Sequence, residues 1–170
     1  CLDNRLEQSI KTFLVTANPE IMMYAQKDPD YFNILKGADL IIPDGIGIII
    51  GSKISGRPIE RRLAGFDLMI HLLELASQRN YSVYFLGAKP PVIEKAVHRV
   101  RKDFPSIQIA GHHHGYFNLD DESIAEEIKQ TSPDLILVGL GFPRQEQWIE
   151  RYRERFDKGF FIGVGGSFDV

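Results

Sequence analysis

A short apolar segment that ends in Pro43, Asp44 and Gly45 carries the residues best suited to chemistry in this chain. The apolar run 40–42 is typical of a buried strand, and Pro43 with Gly45 predicts a tight turn that leaves the Asp44 carboxylate at the strand's end. In an open parallel sheet, ligands bind at the carboxyl ends of the strands. A carboxylate beside a substrate hydroxyl there acts as a general base. The same spacing suits an Asp that caps the next helix, so both roles stay open.

Other polar residues stand where neighbouring elements begin or end. Thr16 closes an apolar run at 12–16 and Asn18 follows it, which suits both to orienting a sugar or an amide, although each is also a common turn residue. Arg62 stands nearest the start of a predicted helix at 66–79, where a guanidinium beside a helix N-terminus suits a diphosphate. We interpret Arg57 and Arg61 as members of a solvated basic loop.

Glycines recur where predicted strands end, at Gly87, Gly139 and Gly141. Glycine permits positive φ and lets backbone N–H groups approach a ligand closely, while the next helix N-terminus favours an anion. The sequence therefore predicts a phosphate-bearing substrate at this edge, with Arg144 or Gln145 facing it from the helix that follows. The alternative is that turns between strands and helices need glycine for their own geometry.

Three weaker motifs do not predict a cofactor or a metal. The third glycine of 45–51 comes one residue too late for a dinucleotide-binding loop. Asp28 and Asp30 resemble a metal-binding Asp-x-Asp pair but follow no buried strand, so we interpret them as helix-capping residues. The histidines at 112–114 have no third ligand at a suitable local spacing, and we expect polar contacts at the sheet edge from them.

These residues must be positioned by alternating strands and helices. Predicted strands lie at 12–16, 39–42, 82–86, 107–111, 135–139 and 160–164. Predicted helices lie at 20–37 (one or two, with Pro29 able to open the second and Gly37 to close it), 66–79, 90–104, 120–131 and 143–156. The alternation predicts a single α/β domain over 1–170, a Rossmann-like, open, mostly parallel six-stranded sheet with helices on both faces.

Composition narrows the function classes. A net charge of −3 and a pI near 6.0 over 170 residues give no broad basic surface for nucleic acid. The only cysteine is Cys1, which excludes an intrachain disulfide and fits a cytoplasmic protein. The longest apolar stretch, 38–51, is too short and too interrupted by acidic residues to span a bilayer. Because the chain starts without Met and ends in a loop-like segment at 165–170, we interpret it as part of a longer protein.

The motifs taken together resemble the WecG/TagA/CpsF family of bacterial glycosyltransferases, and within it the enzymes of wall teichoic acid synthesis. Seven segments carry the resemblance in order: TANPE (16–20), PDG (43–45), RLAGFD (62–67), LGA (86–88), HHGYF (113–117), GLGFPRQE (139–146) and GVGGSFD (163–169). Each motif alone is short, but their order covers nearly the whole chain.

The resemblance implies a metal-independent, cofactor-free, inverting transfer of N-acetylmannosamine or a related sugar from a UDP donor to N-acetylglucosamine on undecaprenyl diphosphate. It implies Asp44 as the base, Thr16 as its neighbour, Arg62 as a diphosphate or acceptor contact and Gln145 as a substrate contact. Asn18 and the turn from Gly139 to Gly141 line the implied pocket, with Gly45 and Gly87 as further substrate-binding positions.

The family also carries a strand and helix ahead of this chain's start and a basic appendage beyond Val170. The resemblance thereby implies peripheral docking on the inner face of the cell membrane through a region absent from this chain. It leaves room for a homo-oligomer whose contacts cover part of the surface.

Two other functions stay open on the sequence. The first is an NAD(P)-dependent oxidoreductase on a doubly wound sheet, against which the displaced glycine of 45–51 argues. The second is a non-catalytic domain that binds a sugar nucleotide. Stabilisation against heat by UDP but not by NAD separates the oxidoreductase from the other two.

Overall fold

The computed structural model describes residues 2–43 and 65–169. Within these ranges the strands are β1 (Thr12–Ala17), β2 (Leu40–Pro43), β3 (Ser82–Gly87), β4 (Gln108–His113), β5 (Leu135–Gly139) and β6 (Phe160–Gly163). They form one sheet in the order β2-β1-β6-β5-β3-β4, and every described ladder is parallel. The predicted α/β sheet is confirmed, and it is fully parallel in the described ranges.

Helices follow the strands as the sequence predicts. The described α-helices are α1 (Leu2–Glu7), α2 (Pro19–Lys27), α3 (Pro29–Lys36), α4 (Gly65–Arg79), α5 (Pro90–Asp103), α6 (Glu122–Thr131) and α7 (Arg144–Tyr152). The predicted segment 20–37 is two helices, because the Asp28 Oδ1 accepts hydrogen bonds from the backbone N–H groups of Asp30 at 3.0 Å and Tyr31 at 3.1 Å. The interpretation of Asp28 as a capping residue is confirmed. None of the described helices is long and apolar enough to cross a bilayer.

Two elements lie where the sequence predicts no helix, and the helix predicted at 143–156 ends at Tyr152 and continues as a 3₁₀ helix, Arg153–Arg155. Helix α1 was not predicted, because among its six residues only Leu6 is buried and no apolar period indicates it. The segment predicted as a loop at the end of the chain contains a 3₁₀ helix, Gly165–Asp169. Phe168 explains this turn: it is 5% exposed and its ring packs 5.9 Å from that of Phe85.

Two apolar cores lie on opposite faces of the sheet. One gathers the buried faces of α2, α3, α6 and α7, and the other those of α1, α4, α5 and Phe168. The central strand β5 supports both, since its residues from Leu135 to Val138 have no exposed surface. A strand that is buried on both faces has no exposed positions for polar residues. Its sequence is therefore an apolar run and not an alternation of apolar and polar residues.

Chain direction creates crevices at the carboxyl edge, including one between β3 and β5 and one between β1 and β6. The chain leaves β3 for α5 on one face and leaves neighbouring β5 for α7 on the other. It likewise leaves β1 for α2 on one face and β6 for the Gly165–Asp169 turn on the other. Adjacent strands whose connections diverge leave a gap between their loops, and open α/β sheets bind ligands in such gaps.

Candidate functional site

Two neighbouring cavities occupy these crevices. The first, which we name the Gln145 cavity, has a volume of about 500 Å³, with Thr16, Asn18, Gly141 and Gln145 in its wall. The second, the Tyr116 cavity, has a volume of about 980 Å³. Its lining includes Ala88, Lys89, Tyr116, Gly139, Arg144 and Asp169.

A thin wall separates the cavities. The loop from β5 to α7 contributes Gly141 to the Gln145 cavity and Leu140 to the Tyr116 cavity. The Gly165–Asp169 turn likewise contributes Ser167 to the first and Asp169 to the second. Two ligands bound side by side here would meet across these two short segments.

Gln145 is fixed by hydrogen bonds on both ends of its carboxamide. The residue is 4% exposed, its Nε2 donates to the Glu146 Oε1 at 3.0 Å, and its Oε1 accepts from the Gly165 N–H at 3.0 Å. Gly163 makes room for it, because a Cβ there would lie 2.7 Å from the Gln145 Nε2. The amide therefore presents one fixed orientation at the cavity wall, which suits the positioning of a polar ligand.

Glu146 is a buried carboxyl behind this amide. It is 1% exposed, and burial raises its pKa to about 7, with the hydrogen bond from Gln145 opposing part of that rise. The hydroxyl of Tyr31 is its other neighbour; burial foremost and the Glu146 charge next raise the pKa of that hydroxyl. Gln145 is thus hydrogen-bonded to a group whose charge changes near neutral pH.

Replacing Glu146 with Gln is expected to flatten the pH dependence of stability. Because the folded pKa of about 7 exceeds the unfolded value of 4.5, the folded protein retains a proton that the unfolded chain loses, so the free energy of unfolding falls as pH rises through this window. The substituted carboxamide keeps an acceptor oxygen for Gln145 but cannot titrate. Denaturant titrations between pH 4.5 and 7 measure the slope.

The matched control is Glu126→Gln, which alters an exposed carboxylate on α6 and should keep the wild-type slope. A wild-type slope in the Glu146 variant as well would show that the buried carboxyl contributes nothing to the pH dependence.

Thr16 and Asn18 stand at the end of β1 on the opposite wall. The Thr16 hydroxyl donates to the Gly163 carbonyl at 3.4 Å, which ties the ends of β1 and β6 together. Asn18 is the N-cap of α2, and its Oδ1 accepts from the Ile21 N–H at 2.9 Å. The cap uses the carboxamide oxygen, so the Nδ2 group is what Asn18 offers a ligand.

Arg144 shapes the Tyr116 cavity. Its Nη1 donates to the Gly115 carbonyl at 3.0 Å and its Nη2 to the Phe117 carbonyl at 2.6 Å, while its guanidinium lies 5.5 Å from the Phe117 ring centre. The guanidinium thereby holds the loop that carries Tyr116, which is 65% exposed at the cavity rim. An exposed aromatic ring on an anchored loop can serve as a platform for a flat ligand such as a nucleobase.

The glycines at this edge differ in what they do. Gly139 lines the Tyr116 cavity, and a Cβ there would lie 2.7 Å from the Phe168 ring. Gly141 lines the Gln145 cavity with a φ of +76°. Gly87 is buried; its neighbour Ala88, with a φ of 63°, lines the Tyr116 cavity. Gly87 itself therefore acts on the site only through the backbone conformation that brings Ala88 to the cavity wall.

The predicted site residues are therefore brought together in part. Thr16, Asn18, Gly141 and Gln145 share one cavity, and Gly139 lines the adjacent one. Asp44, Gly45 and Arg62 lie outside the described residues, as do Arg57, Arg61 and the glycine-rich run 45–51. The chain reaches Asp44 directly after Pro43, which is in register with Ala17 at the end of β1.

His112 and His113 are the last residues of β4, which runs two residues beyond the predicted end at 111, and His114 begins the loop after it. The His113 Nδ1 lies 2.7 Å from the His114 carbonyl oxygen, and the His114 Nδ1 accepts from the Tyr116 N–H at 3.1 Å. Across 2–43 and 65–169, no three His, Cys, Asp or Glu side chains are grouped as a metal site needs.

Sequence reasoning missed four residues of this edge: Lys89, Tyr116, Glu146 and Asp169. Glu146 had a detectable signal, because it stands three residues before the buried Ile149 and so shares the inner face of α7. The other three are loop or turn residues, which no apolar period marks.

Known proteins are similar to this chain over nearly its whole length. The sequence model described as the glycosyl transferase WecG/TagA/CpsF family matches residues 1–170. A Bacillus spizizenii protein named N-acetylglucosaminyldiphosphoundecaprenol N-acetyl-beta-D-mannosaminyltransferase is 45% identical over 165 residues, which are 97% of this chain and 64% of that protein. A Staphylococcus aureus (strain NCTC 8325 / PS 47) protein of the same name is 40% identical over 158 residues, 93% of this chain and 62% of its own. The chain thus spans less than two thirds of the length of these curated relatives.

Proposed function

The chain belongs to the WecG/TagA/CpsF glycosyltransferase family, and on that premise we propose that it transfers N-acetylmannosamine from a UDP donor to undecaprenyl-diphosphate-linked N-acetylglucosamine. The names of its relatives specify this sugar and this acceptor. The single observation that carries the proposal is the pair of cavities at the carboxyl edge, parted only by a loop and a turn. Adjacent compartments suit a transfer between two substrates, because each can hold one of them next to the other.

We assign the donor nucleotide to the Tyr116 cavity. Tyr116 offers a stacking surface, Asp169 offers a carboxylate that accepts hydrogen bonds from ribose hydroxyls, and the exposed Lys89 precedes helix α5 where a diphosphate gains from positive charge. The volume of about 980 Å³ is at the upper end of the range typical of small-molecule sites.

We assign the acceptor sugar and the reacting centre to the Gln145 cavity. In the proposed inversion an acceptor hydroxyl oxygen bonds to the anomeric carbon while the bond from that carbon to the UDP oxygen breaks, and Asp44 takes the hydroxyl proton. Thr16, Asn18 and Gln145 orient the sugars from the described walls. Arg62 stabilises the charge that develops on a diphosphate.

The proposed acceptor places the reaction at a membrane. Because the acceptor is a lipid, the full-length protein is proposed to work on the inner face of the cell membrane, in the synthesis of wall teichoic acid, attached through a region outside this chain.

Product analysis tests the proposed reaction. The full-length protein, given UDP-N-acetylmannosamine and a short-chain acceptor lipid, should release UDP only when the acceptor is present and should extend the lipid by one N-acetylhexosamine. UDP, but not NAD, should raise its melting temperature. Absence of the extended lipid, or stabilisation by NAD alone, would contradict the proposal.

Replacing Tyr116 with Ala is expected to weaken UDP binding by about fivefold to a hundredfold, since base–aromatic stacking is worth about 1–3 kcal/mol. The residue is 65% exposed, so folding stability should hardly change. Isothermal titration with UDP measures the loss. Phe32→Ala is the matched control, because Phe32 is a 49% exposed residue on α3 outside the lining of both cavities. Equal UDP affinity in both variants would place the base elsewhere.

A further inference from the structure

An apolar groove runs between α4 and α5. Its walls are Met69, Ile70 and Leu73 of α4 and Ala96 and Val100 of α5, with Phe85 and Phe168 also in its lining. The exposed pair Arg99 and Asp103, 3.5 Å apart, is also in its lining. The groove encloses about 120 Å³. Such a surface favours hydrocarbon over any charged ligand.

The groove adjoins the Gln145 cavity. Phe66, at the start of α4, lines both spaces, and so does Ser167 in the turn after β6. A ligand that places a polar end among Thr16, Asn18 and Gln145 therefore passes Phe66 into an apolar space. The two spaces together fit a molecule with a sugar at one end and a hydrocarbon chain at the other, joined by a diphosphate that would lie beside Phe66 and Ser167 at the N-terminus of α4, where negative charge is favoured.

We propose that the α4–α5 groove binds the first isoprene unit of the acceptor lipid. The inference rests on the proposed function, which supplies an acceptor of this chemistry. The enclosed volume is comparable to the apolar cavity of about 150 Å³ that binds benzene, so it accommodates about one five-carbon unit, with the rest of the chain extending along the surface. Burial of these methylene groups removes apolar surface from water, so the groove should strengthen binding of the lipid acceptor relative to an acceptor that carries the same head group without the hydrocarbon.

The role of the groove is tested with two acceptors, N-acetylglucosaminyl diphosphate esterified with a farnesyl or with a methyl group. In the full-length protein, Ala96→Phe fills the groove and should lower the ratio of kcat/KM for the farnesyl over the methyl acceptor by about tenfold or more. Val100→Asn, which makes the wall polar, should lower it in the same direction. Lys95→Phe is the matched control, because Lys95 is exposed on α5 outside the groove lining, and it should keep the wild-type ratio.

An unchanged ratio in both groove variants, or an equal fall in the Lys95 variant, overturns the inference. Photolabelling of the wild-type protein tests the inference without depending on turnover or on the stability of the variants. The probe is a farnesyl acceptor that carries a diazirine on its first isoprene unit. It should label peptides that contain 66–73 or 96–104. Labels confined to other peptides overturn the inference. If the wild-type protein extends neither acceptor, the proposed function fails while the label still reports the groove; if it extends both with equal kcat/KM, the groove alone fails.

Discussion

Replacing Asp44 with Asn in the full-length protein is expected to lower kcat by about 10²–10⁴-fold, the usual contribution of a general base. Asn matches the shape of Asp but cannot take the proton of the acceptor hydroxyl. Because that proton moves only in the transition state, UDP affinity should stay nearly unchanged. Rates of UDP release at saturating substrates, with UDP affinity from calorimetry, measure the two effects separately.

Asp30→Asn provides the control for this substitution. Asp30 is exposed in the first turn of α3, where Asp28 is the residue that caps the helix, and the Asp-x-Asp resemblance is all that would give it a role. Its variant should turn over like the wild type. If the Asp44 variant does so too, Asp44 is not the base, and its role is that of a helix-capping residue.

Replacing Gly87 with Ala is expected to cost about 3–5 kcal/mol of folding stability, the sum of overpacking and backbone strain. A Cβ at Gly87 would lie 2.3 Å from the carbonyl oxygen of Gly139, a backbone atom of the neighbouring central strand, and Gly87 has a φ of +137°. Neither strand can move without disturbing the cores on both faces. Denaturant titration of the purified variant measures the loss.

The Gly141→Ala variant distinguishes the cost of a positive φ from the cost of a close approach between two backbone segments. Gly141 also has a positive φ, +76°, but nothing lies within 4 Å of the Cβ position. The variant should therefore lose only about 1 kcal/mol, the cost of the left-handed conformation. Similar losses at both glycines would mean that the approach of β3 to β5 is not what requires Gly87.

The sequence predicted the architecture well because its strands are buried on both faces. The runs 83–86 and 135–139 contain only apolar and aromatic residues and glycine, so the strands were visible in the sequence, and the observed strands Ser82–Gly87 and Leu135–Gly139 match the predicted ones closely. The short helix α1 could not be predicted, since one buried residue, Leu6, creates no period. The 3₁₀ turn was hidden by Gly165 and Gly166, which are typical of loops, and depends on Phe168 reaching the core.

Site residues that lie at the ends of strands could be predicted from the sequence. Those whose environment depends on contacts between distant elements could not. Thr16, Asn18 and Gln145 meet in one cavity, as expected from parallel strands whose carboxyl ends share an edge. Their chemical roles stay predictions, as do those of Asp44 and Arg62. Spacing within α7 indicates that Glu146 lies on the inner face, but its contact with Tyr31 arises from the packing of α7 against α3, which spacing within either helix does not reveal.

Amide hydrogen exchange of the full-length protein with and without UDP tests most directly the claim that the donor binds at the carboxyl edge. UDP should slow exchange in 87–89, 114–117 and 139–141, the segments around the Tyr116 cavity. The opposite edge, with its small cavity beside Asp134 and Lys158, should be unaffected. Protection confined to that opposite edge, or no protection at 87–89 and 114–117 under saturating UDP, would contradict the account.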